Sequence, residues 1–512
     1  MILLLLLATA LRFHDLGGKS LWVDEANTVL IAGGGLWEII ESMRLDSSPP
    51  LLHILLHYWM KVFGDGEAAV RSLSAVFGVA LVGCVFHVGR RLLSFEGGLI
   101  ASALVCVSPV QVLHSQQIRM YALLPTVGLL SVYFLWRAMR DSRSRFCIAY
   151  VAMTLLGLYT HYYMLYVLPV HFLMLLVGGS LRRRLGAWSL CAAVVAVGFL
   201  PWIPIFVAQM SETGHYSWLR PLWEQRGALN ALRQTLDTFA GSIASMSSPI
   251  RNPAHFLIWE RLLVFGGLAL WGLVHRTQAD TRHRMHPGSR SAIAFLLVVP
   301  LAIALVVSAV KVPNYVPGRC DQLMFPAFSL AVAAGLVAVG PALLRYALVT
   351  AMVAVSAAAL WDWYGAPTPK GDKAMAQAII EYAEPDDAVL CTSLTRASVE
   401  YYLERAGAPV QVLSFPRHVA RHRGNLDARR LLQDPEGVRT EARAVADELR
   451  SAIGPSGRFF VVLAKRPINR FLKQELLDPA HSTTLRDFGE FGQLVTHHRV
   501  RVTLRSLTPA QQ

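Results

Sequence analysis

Residues Ser20–Leu30 read SLWVDEANTVL, and they stand only a few residues after an apolar opening, MILLLLLATAL (Met1–Leu11). A run of aliphatic residues followed at once by two adjacent carboxylates, Asp24 and Glu25, behind Trp22 describes a chain leaving a bilayer and starting a short helix at its edge. The composition supports that setting. Of the 512 residues 54% are apolar and 16% charged, with a mean hydropathy of +0.42, whereas a soluble globule carries charge on about a quarter of its residues. We therefore expect a polytopic α-helical membrane protein.

Working outward, runs long enough to cross a ~30 Å hydrocarbon core as helices fall near 72–89, 97–113, 121–139, 146–160, 162–178, 186–207, 256–274, 291–310, 322–340 and 344–361. With the N-terminal segment this predicts about eleven transmembrane helices. Loops holding Arg90 and Arg91, Arg137 to Arg145, Arg182 to Arg184, Arg276 to Arg290, and Arg345 alternate with loops poorer in base. The basic loops are assigned to the cytoplasm, so Asp24 and Glu25 face outward. The opening apolar segment is shorter than the roughly twenty residues of a spanning helix, and Ala8-Thr9-Ala10 resembles a signal-peptidase site. It lacks a basic leader region, so we read it as a retained first helix, its start upstream of Met1 left open. The net charge of +14 does not point to nucleic acid, because no basic tract is interleaved with aromatics. Cys84, Cys106, Cys147 and Cys191 lie in apolar runs; Cys320 and Cys391 are the only pair expected to share a compartment.

From about Gly365 the texture changes. KAMAQAIIEYA, DAVLCTS, VEYYLERAG, PVQVLSF, RFFVVLAK and LVTHHRVRV alternate charged helices with β-branched runs, the pattern of a small α/β domain. The chain divides on this reading into a transmembrane domain, 1–364, with an outward loop at 12–71, and an extracytoplasmic α/β domain, 365–512. The second has no glycine-rich phosphate loop and no metal-ligand spacing. PRHVARHRGNLDARR (Pro416–Arg430) reads as a solvated basic loop, with contact to anionic lipid or acceptor as its alternative.

Several outward residues carry two readings. Asp24 is either a functional carboxylate or the N-cap of a helix over Glu25–Ile31. Asp46, before Ser47-Ser48-Pro49-Pro50, has the same ambiguity and leans toward turn chemistry. His53 and His57 stand at a spacing that can bind a metal, although a polar stripe at the interface explains them more simply. In SPVQVLHSQQIRMYALL, Gln117, Arg119 and Tyr121 cluster at a membrane edge, where an arginine either snorkels or grips a phosphate with its planar fork of donors. KVPNYVPGRCDQLMFP adds Lys311, Tyr315 and Arg319, either as an interfacial anchor or as part of a cavity that the three outward loops share.

The motifs SLWVDEA, D-x-x-PPL from Asp46, G-D-x-E-A-A-V-R-S-L-S-A (Gly64–Ala75) and S-P-x-x-x-L-H-S-Q-Q-I-R-M-Y-A-L (Ser108–Leu123) resemble the GT-C glycosyltransferases. More narrowly they are similar to the branch containing protein O-mannosyltransferases and lipid A aminoarabinose transferases. The likeness is strongest over 12–140. It implies a GT-C-like fold and transfer of a sugar from a polyprenyl-phosphate donor to an acceptor (protein, lipid or polysaccharide) at the outer face of the plasma membrane. It also implies that Asp24 acts at the catalytic centre, with Glu25 completing the pair. Arg119, Tyr121, Gln117, Asp46, Arg71 and Arg319 are the expected substrate-binding residues. Related sequences carry an acid where Gln117 stands, often His at Ser48, and Arg-Tyr at Arg319-Cys320; no metal is assigned, a divalent ion being left open. The competing class is a transporter or flippase of lipid-linked sugars, which would place ionisable or helix-breaking residues near mid-membrane.

Overall fold

The computed structural model describes residues 1–141, 143–177, 181–211, 219–241, 258–275, 288–310, 313–365, 371–421, 431–453, 458–464, 466–476, 482–487 and 493–498. Lys311, residues 276–287 of the basic loop and residues 422–430 of PRHVARHRGNLDARR lie outside them. Two compact units emerge, one of Met1–Gly18 with Gly35–Pro367 and one of Lys19–Gly34 with Thr368–Gln512.

The first unit is helical. Its elements are α1 (Ile2–Phe13), α3 (Leu36–Met43), α4 (Leu51–Phe63), α5 (Glu67–Leu92), α6 (Phe95–Val107), α7 (Pro109–Ser115), α8 (Leu123–Arg140), α9 (Ser144–Thr160), α10 (Leu168–Val177), α11 (Leu181–Phe199), α12 (Ile203–Ser211), α13 (Arg220–Phe239), α14 (Ile258–Val274), α15 (Ser289–Val310), α16 (Phe325–Ala338) and α17 (Ala342–Gly365); α2 (Val23–Gly33) belongs to the second. Helix satisfies every backbone group internally, which lipid demands. Among the described residues each apolar run of the sequence is mainly helical. Among the described residues four helices are long and apolar enough to cross a membrane: Glu67–Leu92, Leu185–Ser211, Ser289–Val310 and Ala342–Gly365. A fifth is the pair α6 and α7, bent by 62°; the other runs are shorter helices.

The bend has a local cause. Ser108 is extended and Pro109 opens α7, so the ladder loses an amide there and α6 ends with orphan carbonyls. Arg12, fully buried, covers them: one terminal nitrogen donates to Cys106 O and the other to Val105 O, both at 3.0 Å. Gly78 makes room, since a Cβ there would lie 2.8 Å from Arg12 Nε. Elsewhere helices close on small residues, as membrane helices do. On α5 and α6 a Cβ at Gly89 would sit 2.8 Å from Gly98 Cα, and on α14 and α16 a Cβ at Gly272 or Gly335 would strike the facing backbone at Ala331 or Leu268. Within α8, α9 and α10, His171 is fully buried and bonds Ser131 Oγ at 2.9 Å and Tyr150 Oη at 3.2 Å.

The second unit contains α2, α18 (Gly371–Tyr382), β1 (Ala388–Thr392), α19 (Arg396–Arg405), β2 (Gln411–Phe415), α20 (His418–Arg421), α21 (Pro435–Ala452), β3 (Arg458–Leu463), α22 (Asn469–Leu476), β4 (Ser482–Asp487) and β5 (Gln493–His498). The sheet order is β2-β1-β3-β5-β4; β1 runs parallel to β2 and β3, and β5 antiparallel to β3 and β4. The strands read from the sequence are present, LVTHHRVRV as far as His498 with residues 499–502 outside those described, and β4 is an addition. The apolar stripe Val438, Ala442, Val445, Ala446 and Leu449 of α21 packs with Leu390, Phe459 and Val461 of the sheet in one core.

Candidate functional site

In the helical unit the site grows from the turn before α4. Asp46 Oδ1 accepts from Ser47 N at 2.5 Å and from Ser48 Oγ at 2.9 Å, so the carboxylate is tied to the turn that follows it. Pro49-Pro50 then starts α4. Gln209 of α12, 1% exposed, donates to the carbonyls of Met43 and of Ser48, the latter at 3.3 Å. Its own carbonyl takes the Tyr162 hydroxyl, which accepts from Trp202 Nε1 at 2.9 Å. This chain of bonds fixes the turn carrying Asp46.

Helix α4 buries His53 and His57 on the face that also buries Leu52 and Leu56, so they are not an interfacial polar stripe. Neither ring nitrogen of His53 has a hydrogen-bond partner among the described residues, although the side chain is 1% exposed. Asp46 feels the charges of His53 and Arg119. Burial alone would raise its carboxyl; the charges of those two residues and the bonds from Ser48 and Ser47 outweigh it and hold the group below the usual carboxylate range. Burial pushes the His53 imidazole down to about 4, with Asp46 opposing and Arg119 assisting, so near neutrality His53 offers one donor and one acceptor. No cluster of three or more metal-ligating side chains occurs among the described residues.

Arg119 leaves α7 through a tight turn in which its amide donates to Gln117 O at 2.8 Å. Its charge reaches His161 as well as Asp46. Tyr121, largely buried, packs with its ring tilted 6.2 Å from His161 and 5.0 Å from His114, and His114 Nε2 meets Gly318 O at 2.5 Å. The structure thus brings Asp46, Arg119 and Tyr121 together and joins them through His114 to the loop of Arg319, whose charge His114 feels. Arg71 is buried on α5, where one terminal nitrogen donates to Leu16 O at 2.9 Å. Gln117 is half-buried beside Arg119 and is met through its backbone.

The loop between α15 and α16 holds a carboxylate that no motif of the sequence marks. Asp321, fully buried, accepts from Gly318 N at 2.8 Å, Tyr315 Oη at 3.3 Å and Gln322 Nε2 at 2.9 Å. Gln322 in turn accepts from Gln111 Nε2 of α7 at 2.5 Å, and Thr235 of α13 bonds the Tyr315 hydroxyl. Gly318 has φ +80, a left-handed conformation that suits glycine. Desolvation raises the Asp321 carboxyl to about 6. A polar residue just before an apolar run, in RCDQLMFP, is the only sequence signal it gives.

In the second unit Asp24 is not the N-cap. Helix α2 starts at Val23 with Trp22 as cap residue, and Glu25, fully buried, reaches back to the Trp22 amide at 3.5 Å. Asp24 is half-buried, and its carbonyl accepts from Thr28 Oγ1 at 2.7 Å. Glu25 therefore has local work in starting the helix, while the Asp24 side chain is not needed as the cap.

Residues 47–205 match the family model of dolichyl-phosphate-mannose-protein mannosyltransferases. The fold is similar to ArnT from Cupriavidus metallidurans bound to undecaprenyl phosphate (TM-score 0.57, 14% identity, 98% of each chain) and to the same protein in the apo state (0.58, 14%, 98% of this chain and 97% of that one). It is also similar to an oligosaccharyltransferase from Archaeoglobus fulgidus in a complex with zinc and sulfate (0.51, 13%, 90% and 67%). No curated protein matches the sequence. The chain shares the GT-C fold of these proteins, and its residues 47–205 are similar to the mannosyltransferase family model.

Proposed function

We propose that this chain is a membrane glycosyltransferase that moves a sugar from a polyprenyl-phosphate donor to an acceptor hydroxyl at the extracytoplasmic face, with inversion. The observation that carries the reading is the charged cluster of the membrane unit: Arg119 and Asp46 beside His53, whose two ring nitrogens are buried and lack hydrogen-bond partners among the described residues. That set suits a headgroup with a phosphate and hydroxyls at the rim of an apolar body. The relation to a protein solved with undecaprenyl phosphate agrees with it. The full reading has about eleven crossings in the plasma (inner) membrane, and the α/β unit outside.

In the reaction the acceptor oxygen attacks C1 of the sugar, and the bond from C1 to the phosphate oxygen breaks with its electron pair passing to the lipid phosphate. Asp24 takes the acceptor's proton as the new bond forms, an effect worth roughly 10²–10⁴-fold, and Glu25 supports the helix that presents it. Arg119 stabilises the charge growing on the leaving phosphate, with Arg319 as a further cation, while Asp46, Gln117, Tyr121 and His53 hold the headgroup. Arg71, one of whose terminal nitrogens is held by Leu16 O, is a further candidate for the headgroup.

Asp24→Asn keeps the size of the side chain, and since Trp22 holds the cap position the fold should stand. Turnover should fall by at least ~10²-fold with donor binding retained; normal turnover would remove Asp24 from the mechanism. Arg119→Lys keeps the charge and loses the fork, so donor affinity should drop; unchanged affinity in Arg119→Ala as well would refute the phosphate role. The transporter reading has the buried network of His171, Ser131, Thr154 and Tyr150 in its favour. Purified protein in vesicles with a labelled lipid-linked sugar separates the two: glycosylated product supports transfer, and movement of the lipid without product supports transport.

A further inference from the structure

The acidic helix α2 is packed within the unit formed by the C-terminal residues, not within the membrane unit from which it emerges in sequence. Its buried positions Glu25, Ala26, Thr28, Val29 and Ala32 lie along one side of the helix as a stripe, and the helix lies against α19. Asp24, Asn27 and Ile31 fall off that stripe and are only half-buried. Immediately before the helix, the amide of Leu21, itself fully buried, donates to the Tyr402 hydroxyl at 2.9 Å. Tyr402 is 7% exposed; Lys373 Nζ stands 5.5 Å from its ring centroid, and Tyr401 packs 4.8 Å away. Helix α19 is set in turn by Arg396, whose guanidinium grips Glu400 at 2.9 and 3.0 Å and reaches Ser414 of β2 at 2.8 Å.

We infer that the α/β unit is the mount of the acidic helix, and that Tyr402 is a positioning residue for the transfer, its hydroxyl fixing where the chain turns into Trp22-Val23-Asp24. The inference rests on the reading of Asp24 as the base. A helix of 11 residues is marginal by itself, so its direction and the aim of Asp24 are set by what it lies on. The bond at Leu21 holds the end nearest the carboxylate; the stripe from Glu25 to Ala32 holds the rest. Tyr402 touches neither sugar nor phosphate in this role.

The test uses the full chain in nanodiscs. Tyr402→Phe keeps the ring and removes the oxygen that accepts from Leu21. Hydrogen exchange over residues 19–34 should quicken by ~3–10-fold, the worth of one hydrogen bond, with exchange elsewhere unchanged. Turnover should fall several-fold at unaltered donor KM. Glu400→Gln, which loosens Arg396 and so α19, should give the same signature more weakly. Unchanged exchange over 19–34 in Tyr402→Phe overturns the mount; faster exchange with unchanged turnover overturns the positioning role. Should Asp24→Asn prove fully active, the base assignment fails, and the exchange result still decides whether the α/β unit holds the helix.

Discussion

Asp321→Asn is the perturbation whose outcome the structure fixes most closely. The carboxyl is fully buried and raised from 3.8 to about 6, chiefly by desolvation that the bonds from Gly318, Gln322, Thr235 and Tyr315 only partly offset. A raised acid favours the folded state while it stays protonated. Below the unfolded value both states hold the proton and the full contribution is present. Between about pH 4 and about pH 6 the unfolded chain ionises first, and stability falls by ~1.4 kcal/mol per pH unit. Above that range both are ionised, and the loss levels off at ~3 kcal/mol. Asparagine mimics the protonated acid: its oxygen can accept from Gly318 N and Tyr315 Oη, and its amide can face Gln322 if the side-chain amides of Gln322 and Gln111 turn over together. Thermal unfolding in nanodiscs, followed by tryptophan fluorescence, should show parent and variant coinciding near about pH 4 and the variant unfolding later near about pH 7.5. A parent more stable than the variant near about pH 7.5 would refute the reasoning, because the buried carboxylate would then be stabilised as an anion by its donors. Asp321→Ala, which strands those donors, should be less stable than either at any pH, by ~1–3 kcal/mol per orphaned group.

Three further substitutions probe the helical unit. Arg12→Met leaves the carbonyls of Val105 and Cys106 buried without their donors at the bend between α6 and α7, and should lower the unfolding midpoint; equal stability would show that the bend holds itself. Gly335→Val places a side chain against the Leu268 backbone, where α14 must move away, whereas Gly266→Ala on the same helix pair meets nothing within 4 Å. The first should yield little monodisperse protein and the second should resemble the parent.

Much of this architecture is legible in the sequence because it rests on repeating patterns. The apolar runs become helices, and the β-branched runs DAVLCTS, PVQVLSF and RFFVVLAK become β1, β2 and β3. The Asp46 turn follows from local chemistry. What pattern does not carry is the single polar residue whose partner lies far along the chain. Arg12 stands at the end of the apolar opening with nothing local to mark its role, yet its bonds span 93 and 94 positions to α6. Gln111 and Gln322 bond each other across 211 positions. The cap of α2 misleads for a different reason: Asp is the commoner capping residue, so Asp24 is the natural candidate, whereas Glu25 reaches back and the helix starts two residues earlier than expected.

The placement of α2 has a consequence for how the chain is made. Its bond to Tyr402 spans 381 positions, and the helix on which it lies, α19, follows the last helix of the membrane unit. A segment of 11 residues has too few internal bonds to overcome the cost of starting a helix in water. Glu25 at the cap supplies local support of typically ~1 kcal/mol or less at such a contact, too little to reverse that balance. The carboxylates therefore emerge early in synthesis on a strand of chain with no fixed direction. They gain one only when the sheet and α19 have folded and the stripe from Glu25 to Ala32 has a surface to cover. In a chain cut short before Thr368, α2 loses the surface it packs on, while the Asp46 and Arg119 cluster, built wholly from the other unit, keeps every contact described for it.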